Sequence, residues 1–321
     1  MIQSITFHYP TCIDHALIDN QGIIRGGSYH PIITLKGRVS EDESVVIDFS
    51  KGKSLIKSII DDKSAIGFDH KLWVIPGYSA CVVGDIFHSD GDRVRVKTSS
   101  DIEIEIPASD LHSPTNRFNG DVALMIAEDM KHVLERELAK NGLDVEVECS
   151  LHQFPFLRNA DNVHHLFRYV HGLKDSSAYG CKNIAHGHLS FFEIIERAKG
   201  YRKDCQDCLF GERQLADWFD RFAHTIFINR DNIVDENDSY IHIHYNTPRG
   251  DMKMRLPKRA SINAVILDTE TTIEYLADWF TRQTINYLHL AKVKRFVISE
   301  GLQKGVVVDV DDWLRAEQGG S

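Results

Sequence analysis

The residues best suited to chemistry lie in one segment, Cys181-Lys-Asn-Ile-Ala-His186-Gly-His188, with His171 a short way before it. Side chains i and i+2 of a strand project from one face, so His186 and His188 can offer two imidazoles to one ion. A third ligand from a neighbouring strand would leave one coordination position open, the arrangement of a catalytic rather than a structural zinc. His171, His164 and His165 are the candidates for it. A His-X-His pair is commonly incidental on its own; a further histidine and a cysteine close in sequence favour a metal here. Two other groups carry less. Cys205-Gln-Asp-Cys208 has knuckle spacing but no second cysteine pair to complete four ligands. His242 and His244 repeat the i, i+2 pattern with no third ligand near them, as one face of a hairpin would.

Composition sets the frame for that segment. The 321 residues are enough for two modest domains, and 42% apolar with 26% charged residues is ordinary for a chain that buries a core. The formal charge of -10 disfavours a nucleic-acid surface but allows a phosphorylated substrate held by a few local cations. Six cysteines without a secretion signal argue for reduced thiols and a cytoplasmic protein. No run of about 18 uncharged apolar residues is present, so no membrane partner is expected.

The elements that must position these residues occur in a similar order twice. In the first half, strand 32–35 and a hairpin partner at 45–49 precede a helix marked by Leu55, Ile56, Ile59 and Ile60. A turn into a strand at 67–72, an alternating hairpin over 92–106, a helix over 121–139 and a strand at 145–148 complete it. From about residue 154 the plan repeats: a strand over 186–195, a helix near 215–222, a strand at 223–227, a hairpin over 240–256, a helix over 271–288 and a strand at 295–300. Two α+β units of antiparallel sheet are the expected result. The segment 309–321 is polar and expected to be loose.

Phe167-Arg-Tyr-Val-His171-Gly-Leu, then a cysteine, then His186-Gly-His188 opening a strand resembles the zinc motif of the 6-pyruvoyl- and 6-carboxytetrahydropterin synthases. Val46-Ile-Asp-Phe-Ser, Phe68-Asp-His-Lys-Leu and Thr272-Ile-Glu-Tyr-Leu-Ala277 resemble further segments of that family, so the likeness covers most of the chain, as a double-length bacterial form. The motif's frame selects His171 as third ligand. Where the family has zinc histidines, the first half reads Arg25-Gly26-Gly27; where the first half has Asp69-His70, the second reads Ala223-His224. The halves therefore read as complementary.

The resemblance implies two tandem tunnelling-fold (T-fold) units, 1–150 and 151–308, followed by a tail, 309–321, with paired helices on one face of each sheet. It implies sites between units, a closed homo-oligomer, and Zn2+ on His171, His186 and His188. The implied reaction takes 7,8-dihydroneopterin triphosphate to 6-carboxytetrahydropterin, with loss of acetaldehyde and triphosphate, toward queuosine and other 7-deazaguanines. A 6-pyruvoyltetrahydropterin product and a non-catalytic pterin-binding protein are the alternatives. Cys181 would be the base near the metal; His70 oriented by Asp69, or else His224, would be its acid/base partner. Glu300, with Glu148 as the second choice, would bind the pterin's guanidine-like edge. Thr272 and Glu274 would help close that pocket, besides capping the following helix and favouring its first turn.

Overall fold

The computed structural model describes residues 2–40, 45–88, 91–116, 118–153, 163–173, 186–196, 218, 221–222, 224–246, 250–284 and 293–319. The N-terminal half runs β1 (Ile2–His8), β2 (Ile13–Ile18), β3 (Ile24–Arg38), α1 (Phe49–Ile60), β4 (Lys71–Trp73) and β5 (Cys81–His88). It continues with β6 (Gly91–Thr98), β7 (Glu103–Pro107), β8 (Leu111–His112), α2 (Val122–Lys140) and β9 (Glu146–His152). The C-terminal half runs β10 (Val163–His171), β11 (His186–Glu196), β12 (Thr225–Asn229), β13 (Ile233–Glu236), β14 (Tyr240–Tyr245) and β15 (Met252–Pro257). It ends with β16 (Ala264–Leu267), α3 (Ile273–Thr284), β17 (Val293–Glu300), β18 (Lys304–Asp309) and α4 (Val310–Gly319). The fold is α+β, with mostly antiparallel sheets and few helices.

Local chemistry explains where the helices begin. Asp48 accepts a hydrogen bond from Lys51 N (2.9 Å) and Asp121 accepts from Ala123 N (2.8 Å), each satisfying a backbone donor that the first turn leaves open. Asp48 as a cap also corrects the expectation of a strand at 45–49: that stretch bends into α1, and the partners of β3 are β1, β2 and β9. The expected loose tail is likewise corrected. Residues 304–309 form β18 against β17, and α4 follows with Val310 fully buried. The expected helix near 215–222 lies largely outside the described residues.

Corresponding registers tie the halves together. β2 pairs antiparallel with β3 and parallel with β4 (His15↔Gly27, His15↔Lys71); β10 does the same with β11 and β12 (Tyr169↔His188, Tyr169↔Thr225). His15 thus corresponds to Tyr169, Gly26 to Gly187 and Gly27 to His188. The backbone agrees: His70 and His224 both have positive φ (55° and 60°), and their amides donate to the carbonyls of the corresponding Asp14 and Arg168 at 2.6 and 3.0 Å.

Each half packs its helices on its own sheet, α1 and α2 through Ile56, Met130 and Leu134, and α3 through Leu276 and Phe280. A third core belongs to both halves: Ile24, Val96 and Ile104 pack with Val170, Ile226 and Met254. Above it, β7 pairs with β15 (Ile104↔Met254), so strands of both halves form one six-stranded sheet. At roughly 25 cal/mol per Å2 of apolar surface removed from water, each side chain in this shared core contributes about 2 kcal/mol to holding the halves together.

Candidate metal centre and its surroundings

His171 ends β10 and His186 begins β11, directly opposite in the register, with His188 two residues on. The strand period and the antiparallel pairing together place three imidazoles in one cluster, their rings 4.6 to 5.1 Å apart and their ligand atoms all within 4.8 Å of one another. All three are buried, at 2%, 0% and 0% exposure. Burial, followed by the neighbouring His188, pushes His171 down to about 3, so it is held neutral, the form that binds a metal.

Tautomers decide what the cluster can do. Nδ1 of His171 lies 2.7 Å from the carbonyl oxygen of Thr271, which only accepts, so Nδ1 carries the proton and Nε2 a lone pair. Nδ1 of His188 lies 3.2 Å from Asp14 Oδ1, and the carboxylate fixes the proton there in the same way. The two Nε2 atoms then face each other at 3.1 Å, both as acceptors. Two converging lone pairs repel unless a cation lies between them and the third imidazole. The donor set fits a divalent metal, with an outward hydrogen bond from His171 to Thr271 and a carboxylate, Asp14, beside His188 of the kind that orient metal-binding histidines.

The N-terminal half supplies the other wall. Asp69 Oδ2 lies 2.5 Å from Nδ1 of His70, whose ring is 4.8 Å from that of His186. Asp69 Oδ1 also accepts from Asp14 N at 2.8 Å, so a single carboxylate orients His70 and anchors the strand that carries Asp14. Asp14 is buried and accepts from Ser28 Oγ at 2.5 Å, which in turn accepts from Leu189 N at 3.0 Å. Burial pushes the Asp14 carboxyl up, but His188 and His70 more than reverse this and hold it below the carboxylate range. Glu300, at the end of β17, is 8% exposed and paired with Lys304 Nζ at 2.6 Å; against burial, that ion pair holds its carboxyl below the ordinary range.

His171, His186, His188, Asp69, His70 and Glu300 are thus brought together from both halves. His224 is not part of the group: it sits among Arg25, Arg168 and Asp19, at the place that corresponds to His70. Glu148 is an exposed residue of β9 opposite Thr34, and the position corresponding to Glu300 is Gln153. Glu274 is exposed in the first turn of α3, and Thr272 serves there as a backbone acceptor for Leu276 N. Its neighbour Thr271 is the threonine that touches the cluster. Cys181 lies outside the described residues, as do Cys205 and Cys208. The described thiol closest to the centre is Cys12, 3.8 Å from Asp14 Oδ1 and pushed up by burial and by Asp14.

Sequence reasoning missed Asp14, Ser28 and Thr271. No spacing marks Asp14 or Ser28, because both act across the interface between halves; the polar pair Thr271-Thr272 was visible but not which of the two faces inward. No helix among the described residues is long and apolar enough to cross a membrane.

No protein-family model and no curated protein matches the chain. Among solved structures, it is similar to a catalytic-residue mutant of Plasmodium vivax 6-pyruvoyltetrahydropterin synthase, at 17% identity over 49% of this chain and 94% of that one, with a TM-score of 0.34. The Plasmodium falciparum 6-pyruvoyl tetrahydropterin synthase gives 17% identity over 47% and 90%, with a TM-score of 0.35. An uncharacterized protein from Wolinella succinogenes gives 15% identity over 46% and 96%, with a TM-score of 0.30.

Proposed function

We propose that this chain is a zinc-dependent T-fold pterin synthase that converts 7,8-dihydroneopterin triphosphate to 6-carboxy-5,6,7,8-tetrahydropterin, with release of acetaldehyde and triphosphate, on the route to queuosine and other 7-deazaguanines. The observation that carries this reading is the meeting of Asp69-His70 from one half with the converging imidazoles of His171, His186 and His188 from the other. Those three histidines would hold the zinc, which supplies Lewis acidity toward the hydroxyls of the substrate side chain.

The remaining roles belong to the chain itself. Asp69 keeps the His70 proton on Nδ1, so Nε2 is the nitrogen that would exchange a proton with the side chain being processed. Glu300, ionised and almost buried, would accept hydrogen bonds from the amino-pyrimidine edge of the pterin. Asp14 keeps His188 in its ligand tautomer. Cys181 is proposed as the base of the family resemblance. Two units, 1–150 and 151–308, and closure into a homo-oligomeric ring belong to the same proposal.

Metal analysis of the purified protein, with turnover of dihydroneopterin triphosphate by wild type and by the His186→Ala, His70→Asn and Cys181→Ala variants, tests it. Bound zinc at one per chain and turnover lost in all three variants are expected. Protein that binds no zinc, or that retains turnover without His186, would overturn the reading. Mass spectrometry separates a carboxy from a pyruvoyl product, and zinc with pterin binding but no turnover identifies a binding protein.

A further inference from the structure

The registers that relate the two halves define a second place in the molecule that corresponds, residue by residue, to the metal centre. His186 corresponds to Arg25, His188 to Gly27 and His171 to Leu17. Asp14 corresponds to Arg168, His70 to His224 and Glu300 to Gln153. The contacts are preserved while the chemistry is inverted. Asp14 lies against His188; its counterpart Arg168 lies against Gly27, donating from Nη1 to Gly26 O at 3.1 Å and from Nη2 to Gln153 Oε1 at 3.1 Å. His70 lies against His186; its counterpart His224 lies near Arg25, and burial, followed by Arg25 and Arg168, holds the ring neutral.

The three clustered imidazoles and the Asp14 carboxylate have thus been exchanged, while the imidazole of His70 is kept as His224. Two carboxylates have become a guanidinium and an amide, and an imidazole has become a second guanidinium. Asp19 offsets part of this: it ion-pairs with Arg25 and accepts from the amides of Gln21 and Ile23 at 2.8 and 2.9 Å, which fixes its direction. Arg168 has no carboxylate partner among the described residues, so two guanidiniums face one carboxylate. A cavity of about 190 Å3 opens beside Arg25 and His224, which line it with Gln21, Ser100, Ser261, Asn263 and four isoleucines; Arg168 lies near His224 but does not line it. His224 contributes a ring whose Nδ1 is buried without a hydrogen-bond partner. Ser100 Oγ already donates to Gln21 O and Asn263 Nδ2 to Arg221 O and Thr225 Oγ1, so the guanidinium of Arg25 and the ring of His224 are the groups that face the cavity for oxyanion recognition.

We propose that this counterpart of the metal centre is a second ligand site that binds a phosphate-type oxyanion through Arg25, with the His224 ring completing the contact. The pocket stands on charge and geometry independently of the pterin reaction. The oxyanion could be free phosphate or the phosphate tail of a larger molecule, and the two are separable by experiment.

Isothermal titration of the full chain with inorganic phosphate and with inorganic triphosphate, on wild type, Arg25→Gln, His224→Asn and His186→Ala, tests the site. Arg25 is part-exposed and asparagine tolerates positive φ, so both pocket variants are expected to fold, with circular dichroism as the check. Wild type and His186→Ala are expected to bind alike, and Arg25→Gln to weaken binding by about tenfold or more, the loss of one charge-assisted contact. Triphosphate binding much tighter than phosphate points to a tail; equal affinity points to free phosphate. Absence of binding by wild type, binding unchanged in Arg25→Gln, or binding lost only in His186→Ala would overturn the proposal.

Discussion

Asp14 and His188, from opposite halves of the chain, meet at 3.2 Å between a carboxylate oxygen and Nδ1, and no element within either half could create that contact. Its effect is to turn Nε2 of His188 into a lone pair directed at Nε2 of His171. Asp14→Asn keeps the shape but removes the charge that fixes the tautomer. Zinc affinity is expected to fall about 10- to 100-fold, measured by competition with a chromophoric chelator. Unchanged affinity would mean that the carboxylate does not orient the ligand.

Metal removal should be visible in stability. A ligand held by the folded state alone adds roughly 3 to 4 kcal/mol at 100 to 1,000 times its dissociation constant. Chelation is therefore expected to lower the thermal midpoint of wild type, and zinc to restore it. In His171→Ala the midpoint should no longer respond to either; scanning calorimetry with and without chelator decides.

His70 sits at a φ of 55°, a region that asparagine enters more readily than alanine does. His70→Asn should leave the denaturation midpoint near that of wild type while turnover falls by about 100-fold or more, the usual share of a general acid or base. His70→Ala should lose both. If His70→Asn turns over normally, the proton is handled elsewhere.

Metal-free protein should lose stability as pH falls, and His15 is one reason. Stacked on Trp73 at 3.8 Å and buried, it is pushed by burial and then by Arg168 from 6.5 down to about 3. The unfolded chain takes up a proton below about pH 6.5 and the folded chain does not, so stability is complete above that pH and declines toward pH 3, by up to about 5 kcal/mol from this residue. Urea unfolding between pH 7 and 5 should show the decline in wild type and a shallower one in His15→Phe. A slope that His15→Phe leaves unchanged would contradict it.

Gly26 and Gly187 mark where the halves cross most closely. A Cβ at Gly26 would collide with the carbonyl oxygen of Tyr169, and one at Gly187 would lie 2.5 Å from Gly26 Cα. Both obstacles are backbone, so they cannot rotate away. Gly26→Ala is expected to cost about 3 kcal/mol or more in urea unfolding and to weaken zinc binding, since Tyr169 precedes His171 by two residues. Gly84, with open space around it, is the control and should tolerate alanine.

What could be read from the sequence follows from the range of the interactions. His186-Gly-His188 declared itself because the strand period is two, and the hairpins of β6 with β7 and β14 with β15 because alternation and turn residues are local. Asp69-His70 and Glu300 were legible through family resemblance. Asp14 was not, since its partner is 174 positions away and an acid beside Ile13 looks like any strand-edge residue. The 309–321 segment read as loose because its composition is polar, yet Val310 and Leu314 suffice to dock a helix against β17 and β18. Glu148 and Glu300 looked equivalent because both sit in late strands; only the registers against β3 and β11 show that Gln153 is the true counterpart.

The pairing of β7 with β15 has a genetic meaning. A site whose three histidines and Asp69-His70 pair are encoded in one reading frame is assembled by folding, so on the proposed reading its occupancy is expected to be insensitive to dilution. Mixing two chains, one damaged at Asp69 and one at His186, would then not regenerate an intact centre within either chain, and inheritance of both lesions in one cell would behave as a complete loss. Severing the frame between the halves would expose the edges of both strands and the apolar face beneath them, leaving two fragments that need each other to become soluble.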